Sequence, residues 1–307
     1  MIYTVTCNPA MDYTVQMPVL YAGALNRVGK AALYPGGKGI NVSRVLRLLG
    51  TPNEAWGFAA GGVGNLLADA LCEEGLDADL IRLSAGSTRI NVKICAAPET
   101  ELNAPGPAVD EAAWRTLTDR ISYLRAGDIL CLCGSVPAVP GADAYRRLTA
   151  AMAGTGVRVV VDADGALLVN ALEAHPWLIK PNRAELEELV GRPLPDDAAI
   201  ADAAEEWRRR GVENLLISLG GDGAMLCCAA GVFRCPAPAG TVAGGTVGAG
   251  DATLAGFLSA VAAGDPPEEA LRLAVSCGSA AAYCESRLTD RAPIDALRES
   301  VRATRLR

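Results

Sequence analysis

Short β-like runs alternate with amphipathic helical stretches from the start of this chain: Ile2 to Thr6, Val42 to Leu49, Glu54 to Ala59, then Leu66 to Glu74. Apolar residues on a strand face recur every second position and on a helix face every third or fourth, so a regular exchange of the two periods predicts an α/β sheet. The rhythm resumes past the midpoint, with strands expected at Ile129 to Cys133, Val157 to Asp162, Trp177 to Lys180 and Leu215 to Leu219. Between them, helices are expected over Glu111 to Leu124 with Asp110 as N-cap, over Ala142 to Met152 and over Ala198 to Arg210. From about Val247 the chain reads as almost wholly helical, through Glu268 to Glu285 and Ile294 to Thr304. A layered sheet covered by helices follows, as a single domain over residues 1–307 without repeats or linkers.

Two segments depart from that rhythm. Tyr13 to Lys30 and Arg89 to Asn103 lack a helical period, and Ile90, Val92 and Ile94 alternate with Asn91 and Lys93 as in a half-exposed strand. Both are expected to form a small sheet projecting from the main domain.

Composition narrows the function. With 50% hydrophobic and 21% charged residues the chain suits a large globular unit, and its net charge of -7 argues against a general nucleic-acid surface. No apolar run reaches the roughly 18 residues of a membrane helix, and MIYTVTCNPAMDY has no positive leader, so a cytoplasmic protein is expected. The ten cysteines include no CxxC pair and read as buried thiols. His175 is the only histidine, which disfavours a His-based triad or a multi-His metal site.

Four junctions carry the chemistry. Thr246-Val247-Gly248-Ala249-Gly250-Asp251 precedes a helix marked by Leu254, Phe257, Leu258 and Val261. It reads either as an ordinary glycine turn or as a site, with unpaired amides for an anion and Asp251 as proton acceptor. Gly36-Gly37-Lys38-Gly39-Ile40-Asn41 opens the helix of Val42, Val45, Leu46 and Leu49, either as a flexible turn capped by Asn41 or as a ligand loop. It is not a phosphate-binding Walker A loop, because Ala32 stands where the first glycine is required and Gly39 where Ser or Thr is. The dinucleotide fingerprint is absent after the first strand. Lys180-Pro181-Asn182-Arg183-Ala184-Glu185 reads as a capping box, or as oxygen ligands holding water around Mg²⁺. Ser218-Leu219-Gly220-Gly221-Asp222-Gly223 reads as a hairpin turn or a nucleotide-binding edge.

Taken together, GGKGIN at 36–41, NxxE at 182–185, SLGGDG at 218–223 and TVGAGDATLAGF at 246–257 resemble, in order, the signatures of the ribokinase-like (PfkB) carbohydrate kinases. The resemblance spans essentially the whole chain. It implies a three-layer α/β/α sandwich with a projecting β-sheet lid from about 13–30 and 89–103. Within the family, TVTCNPAMD at 4–12, TRINVKI at 88–94, TELNAPGP at 100–107 and LTDR at 288–291 are most similar to the 1-phosphofructokinase branch, with tagatose-6-phosphate kinases next.

Carried onto this sequence, the resemblance implies that Asp251 is the base for the attacking sugar hydroxyl and that Gly248, Ala249 and Gly250 supply the anion hole. Asp12, Gly37 and Asn41 are expected at the sugar, and Arg27, Lys38 and Arg89 at its existing phosphate, with Ser135 nearby. Lys180, Asn182, Ser218, Gly220 and Gly223 are expected at the nucleotide. Asn182 and Glu185 are expected to hold Mg²⁺ through water, with ATP as co-substrate. Two departures stand out: Ala252 where the family often has Ser or Thr, and Leu25 where some relatives carry a basic residue. The implied reaction is ATP-dependent phosphorylation of fructose 1-phosphate at O6. Tagatose 6-phosphate phosphorylation and a non-catalytic sugar or nucleotide sensor are the alternatives. The partners implied are small molecules, with neither nucleic acid nor membrane, and a second copy paired through the lid.

Overall fold

The computed structural model describes residues 1–243, 247–284 and 290–307. The chain opens with β1 (Ile2–Thr6), β2 (Ala10–Gln16) and β3 (Lys30–Gly36), and α1 (Lys38–Leu48) leads to β4 (Asn53–Ala59). Next come α2 (Gly61–Glu73), β5 (Ala78–Arg82), β6 (Arg89–Cys95) and β7 (Thr100–Leu102). The middle runs through α3 (Glu111–Ser122), β8 (Ile129–Cys133), α4 (Ala144–Ala151), β9 (Arg158–Asp162), α5 (Gly165–Leu172) and β10 (Leu178–Ile179). It continues with α6 (Arg183–Val190), α7 (Asp197–Arg209), β11 (Asn214–Ser218), β12 (Ala224–Cys228) and β13 (Gly231–Cys235). The described C-terminal elements are α8 (Ala249–Ala263), α9 (Pro267–Tyr283), α10 (Arg291–Ser300) and β14 (Thr304–Arg305).

Ten strands form one sheet in the order β14-β13-β12-β11-β10-β9-β8-β1-β4-β5, parallel from β5 to β11 and antiparallel beyond. A parallel strand covered on both faces is apolar without interruption, as the run ILCLC of β8 is. Its Leu130 and Leu132 join Trp114, Leu117 and Tyr145 in one core, while Ile129, Cys131 and Cys133 join Leu46, Leu254 and Leu258 in the other. Three layers result: α1, α8, α9 and α10 on one face, and α3 to α7 on the opposite one.

Strand order reverses at β1, with β4 and β5 to one side and β8 to β11 to the other. At such a switch point adjoining loops diverge and leave a crevice beyond the carboxyl ends of the strands. Thr6, Cys133, Asp162, Ile179 and Ser218 end their strands at that edge.

A second sheet of four strands, β3-β2-β6-β7, stands apart from the large one. Its base rests on the domain where Met11 packs with Ile40, Leu67 and Leu71. The strands differ from the expected lid boundaries, because Tyr13 to Lys30 contributes only the end of β2 and the first residue of β3. Pro18 removes an amide donor there, and Gly23 at φ 78° turns the chain, so residues 17–29 connect the strands instead of pairing. β12 is the strand expected to resume at Ala224 after the glycine turn; beyond the expected elements, β5, β13 and β14 complete the sheet, and α10 stops at Ser300 rather than Thr304. The expected end of α9 at Glu285 lies outside the described residues. Among the ten free cysteines seven are buried, and Cys72 is exposed against expectation.

Candidate active site

α8 begins at Ala249 with Gly248 as its N-cap, at φ 85°, a left-handed turn that glycine adopts without steric cost. The Ala252 amide donates to Gly248 O at 2.9 Å, so those of Ala249, Gly250 and Asp251 precede the first intrahelical donor and have no helical acceptor. They present a row of N–H donors at the positive end of the helix dipole. Thr246, at the head of this motif, and Leu288 and Thr289 of LTDR lie outside the described residues.

Asp251 is the third residue of this helix and is 7% exposed. Burial, reinforced by the Asp162 carboxylate, raises its pKa to about 6 against the opposing pull of Asn41, Lys180 and Lys38. A carboxyl so placed is ionised at neutral pH yet remains a better proton acceptor than an ordinary aspartate. Asn41 Nδ2 donates to its Oδ2 at 2.7 Å. The asparagine expected at the sugar thus reaches the carboxylate itself.

Asp162, at the end of β9, is a site residue that the sequence reading missed. It is 1% exposed and lies between two cations, with Oδ1 3.2 Å from Lys38 Nζ and Oδ2 3.4 Å from Lys180 Nζ. Burial works against the Lys38 ammonium, but the Asp162 and Asp251 carboxylates outweigh it and raise its pKa. A carboxylate closing the apolar run VVVD, at the same edge as two lysine-bearing loops, was the available signal.

On the sugar side, Asp12 is buried and accepts from Asn91 Nδ2 at 3.0 Å, while Lys93 Nζ lies 3.7 Å from its other oxygen. A Cβ at Gly36 would stand 2.7 Å from the Asp12 carboxyl, so the glycine there is what lets β3 lie against it. Gly37 then serves as N-cap of α1 and places Lys38 in its first turn. Arg89 does not extend freely toward a ligand: Nε and Nη2 donate to Asn8 O and Nη1 to Ala104 O, fastening the lid to the end of β1. Two of its five N–H donors are left for a phosphate. Ser135 is exposed in the loop after β8 and accepts from Asn8 Nδ2 at 3.3 Å. Arg27 is exposed on the connection between β2 and β3.

On the other side of Asp251, both local readings of NxxE and SLGGDG as structural devices hold. Asn182 caps α6 by accepting from the Glu185 amide, and Glu185 Oε2 accepts from the Asn182 amide, each at 2.9 Å. Gly220 and Gly223 form the turn between β11 and β12, with φ of 57° and 100°. The two motifs are also neighbours, since Asn182 bridges to Ser218 and the Ser218 amide donates to Pro181 O at 3.1 Å. Lys180 Nζ would lie 3.4 Å from a Cβ at Gly250, which joins this edge to the amide row. A cavity of about 330 Å³ borders Asn41 and Gly248, but Val45, Leu48, Leu76 and Ala281 make much of its wall aliphatic.

One buried carboxylate beside oriented amides and two lysines is a kit for moving a negatively charged group onto a hydroxyl. The model of pfkB family carbohydrate kinases matches residues 5–292. The chain belongs to that family. It is 38% identical over 306 residues to the 1-phosphofructokinase of Bacillus subtilis, covering 100% of both chains. The D-tagatose-1-phosphate kinase of Bacillus licheniformis is 33% identical, again over 100% of both. The crystal structure of Escherichia coli phosphofructokinase-2 with substrates and products superposes with a TM-score of 0.92 at 29% identity, covering 97% of this chain and 98% of that one. The architecture is thus ribokinase-like, and membership accounts for the absence of a histidine at the site: kinases of this kind need one carboxylate, donors and positioning.

Proposed function

We propose that the protein is an ATP-dependent 1-phosphofructokinase. The O6 hydroxyl of fructose 1-phosphate gives its proton to Asp251 as its oxygen bonds to the γ-phosphorus of ATP. The bond from that phosphorus to the β,γ-bridging oxygen breaks, and ADP and fructose 1,6-bisphosphate leave. The amides at the start of α8, with Lys180 beside Gly250, face the charge of the moving phosphoryl group. Asp12 receives sugar hydroxyls, and Lys38, Arg89, Ser135 and Arg27 form the basic side for the 1-phosphate. Asn182, Ser218, Gly220 and Gly223 form the nucleotide edge.

The observation that carries this reading is the buried Asp251 carboxylate, its pKa raised to about 6, directly behind unpaired helix amides. The choice of sugar is supported by identity to a 1-phosphofructokinase along the full length. A relative named for D-tagatose 1-phosphate makes that sugar phosphate, and not the tagatose 6-phosphate of the sequence reading, the second candidate substrate. Coupled ADP detection over fructose 1-phosphate, tagatose 1-phosphate, tagatose 6-phosphate and fructose 6-phosphate tests it. The highest kcat/KM is expected for fructose 1-phosphate; a preference for either tagatose phosphate reassigns the substrate.

Among the described residues no group of three or more His, Cys, Asp or Glu side chains is arranged to hold a metal. This fits Mg²⁺ arriving on the nucleotide, since Mg²⁺ keeps several waters and takes few protein ligands. Glu185, with one oxygen on the Asn182 amide, and Asn182 would meet those waters. The ion neutralises phosphate charge when bound.

Two further features belong to this reading. Ten free thiols suit a reducing cytoplasm, and no described helix is long and apolar enough to cross a membrane. The lid sheet has two unlike faces: Asp12, Asn91 and Lys93 on one, and Tyr13, Leu33, Ile90 and Leu102 on the other. The last four are each exposed by about two fifths or more. A second copy of the chain is the proposed cover, forming a homodimer through its own lid.

A further inference from the structure

Beside the carboxylate of Asp251, a line of side chains runs along the wall of the cavity that borders Asn41, which Arg44 and Glu74 also line. Arg44 lies one turn after Asn41 on α1, and its Nη1 donates to Asn41 Oδ1 at 3.1 Å. The same guanidinium is clamped by Glu74, the residue that closes α2, with Nε to Oε2 at 2.6 Å and Nη2 to Oε1 at 2.8 Å. The two side chains are only 12% and 24% exposed. Asn41 Nδ2 completes the line on Asp251 Oδ2.

The chemistry of the three groups makes this more than a brace between helices. An asparagine amide is nearly symmetric in shape, and either its oxygen or its nitrogen can face a neighbour. A guanidinium donates and never accepts, so the amide must turn its oxygen toward Arg44. Its nitrogen is then the atom aimed at Asp251. Without that constraint, Oδ1 could swing toward the carboxylate and replace an attraction by a repulsion between two acceptors. Glu74 supplies the bidentate hold that fixes the guanidinium plane.

We propose that Arg44, held by Glu74, is a positioning residue that sets the Asn41 amide with its N–H toward Asp251 and so fixes the orientation of the catalytic base. The inference rests on Asp251 being that base. Arg44 makes no hydrogen bond to Asp251 itself; it acts on the carboxylate one side chain removed, through Asn41. It also links the C-terminus of α2 to the reacting centre through α1.

The experiment is a double-mutant cycle on kcat, with thermal melting as the control for folding. Arg44→Met is expected to lower kcat about tenfold with KM changed less than about threefold. In an Asn41→Ala background the same change is expected to alter kcat less than about twofold, because the amide to be oriented is gone. Arg44→Lys, with one donor head in place of a fork, and Glu74→Gln are expected to fall between wild type and Arg44→Met; both remain informative if Arg44→Met does not fold. The acid limb of kcat is expected to move upward in Arg44→Met by about one unit. Asp162, Lys38 and Lys180, the other charges acting on Asp251, are unaltered by the substitution. Arg44 effects that multiply unchanged with Asn41→Ala, or a lowered melting temperature with kcat and its pH limb intact in Arg44→Lys and Glu74→Gln, overturn the proposal and leave a structural staple. Asp251→Asn retaining full turnover would instead overturn the assignment of the base.

Discussion

Asn41 and Asp251 stand 210 positions apart in the chain and meet at 2.7 Å, the amide of the first glycine-loop helix donating to the carboxylate at the head of α8. That contact joins the glycine loop before α1 to the head of α8, the proposed sugar and transfer sides, in one hydrogen bond. It also acts on charge: a donor held against a buried carboxylate favours ionisation, while burial and Asp162 oppose it. The balance leaves the group poised near neutrality, where a base is most useful.

Asp251→Asn removes the proposed proton acceptor and keeps its shape. Turnover is expected to fall by about 10²–10⁴ with little change in KM for either substrate. In the wild type, kcat is expected to rise with pH through an apparent pKa of about 6 as the carboxylate ionises. Steady-state kinetics between pH 5 and 9 check both, and an undiminished kcat in the variant removes Asp251 from the mechanism.

The same substitution is expected to stabilise the fold above pH 6. The folded pKa of Asp251 is raised, to about 6 from 3.8, so stability associated with this group is fully present below pH 3.8 and lost as pH rises through 6. Asparagine does not ionise and escapes that loss. The unfolding free energy of the variant is expected to exceed that of wild type by up to about 3 kcal/mol at pH 8, with the gap closing toward pH 4. Denaturant unfolding at the two pH values measures it; a gap of equal size at both contradicts the buried-charge account.

Asp162→Asn should behave in the opposite sense. It leaves the nearly buried Lys180 and the partly exposed Lys38 without their shared counter-charge. Breaking such a pair costs roughly 3–5 kcal/mol when fully buried, and the 35% exposure of the Lys38 side chain places the expectation near the lower end. The melting temperature is expected to drop, and nucleotide affinity with it as the lysines lose their positions. An unchanged melting curve would show that the two lysines need no common anchor.

How much of this was legible in the sequence follows from the range of each signal. The strand runs ILCLC and VVVD, the Asp110 cap and the NxxE capping box are local patterns, and each lies where its periodicity or spacing put it. Asp251 was legible because its glycines, its carboxylate and its helix are consecutive. Asp162 was not, because a carboxylate closing an apolar strand says nothing of its partners; its meaning comes from Lys38 and Lys180, brought to it by two other strand-to-helix connections. Arg89 was legible only as a cation: the backbone carbonyls that engage three of its donors, Asn8 O and Ala104 O, come from residues distant in sequence and leave two donors for the proposed phosphate contact. The lid boundaries slipped because residues 17–29 are largely apolar without a helical period, as a strand can be, but carry Pro18 and Gly23.

The unlike faces of the lid give the last expectation. Leu33 pairs with Tyr13 across β2 and β3, and Ile90 lies two residues before Val92, Tyr13's other partner, so all three residues share the apolar face. A single charge there is costly only if the face is covered, since an exposed leucine exchanged for aspartate changes little. Leu33→Asp and Ile90→Asp are therefore expected to leave the monomer's melting behaviour nearly intact while shifting light-scattering mass at micromolar concentration from dimer toward monomer. Asp12, on the opposite face of the same strand, is untouched by either change, so loss of activity on dissociation would mean that the partner's lid helps to close the sugar site. Wild-type protein that scatters as a monomer excludes the pairing outright.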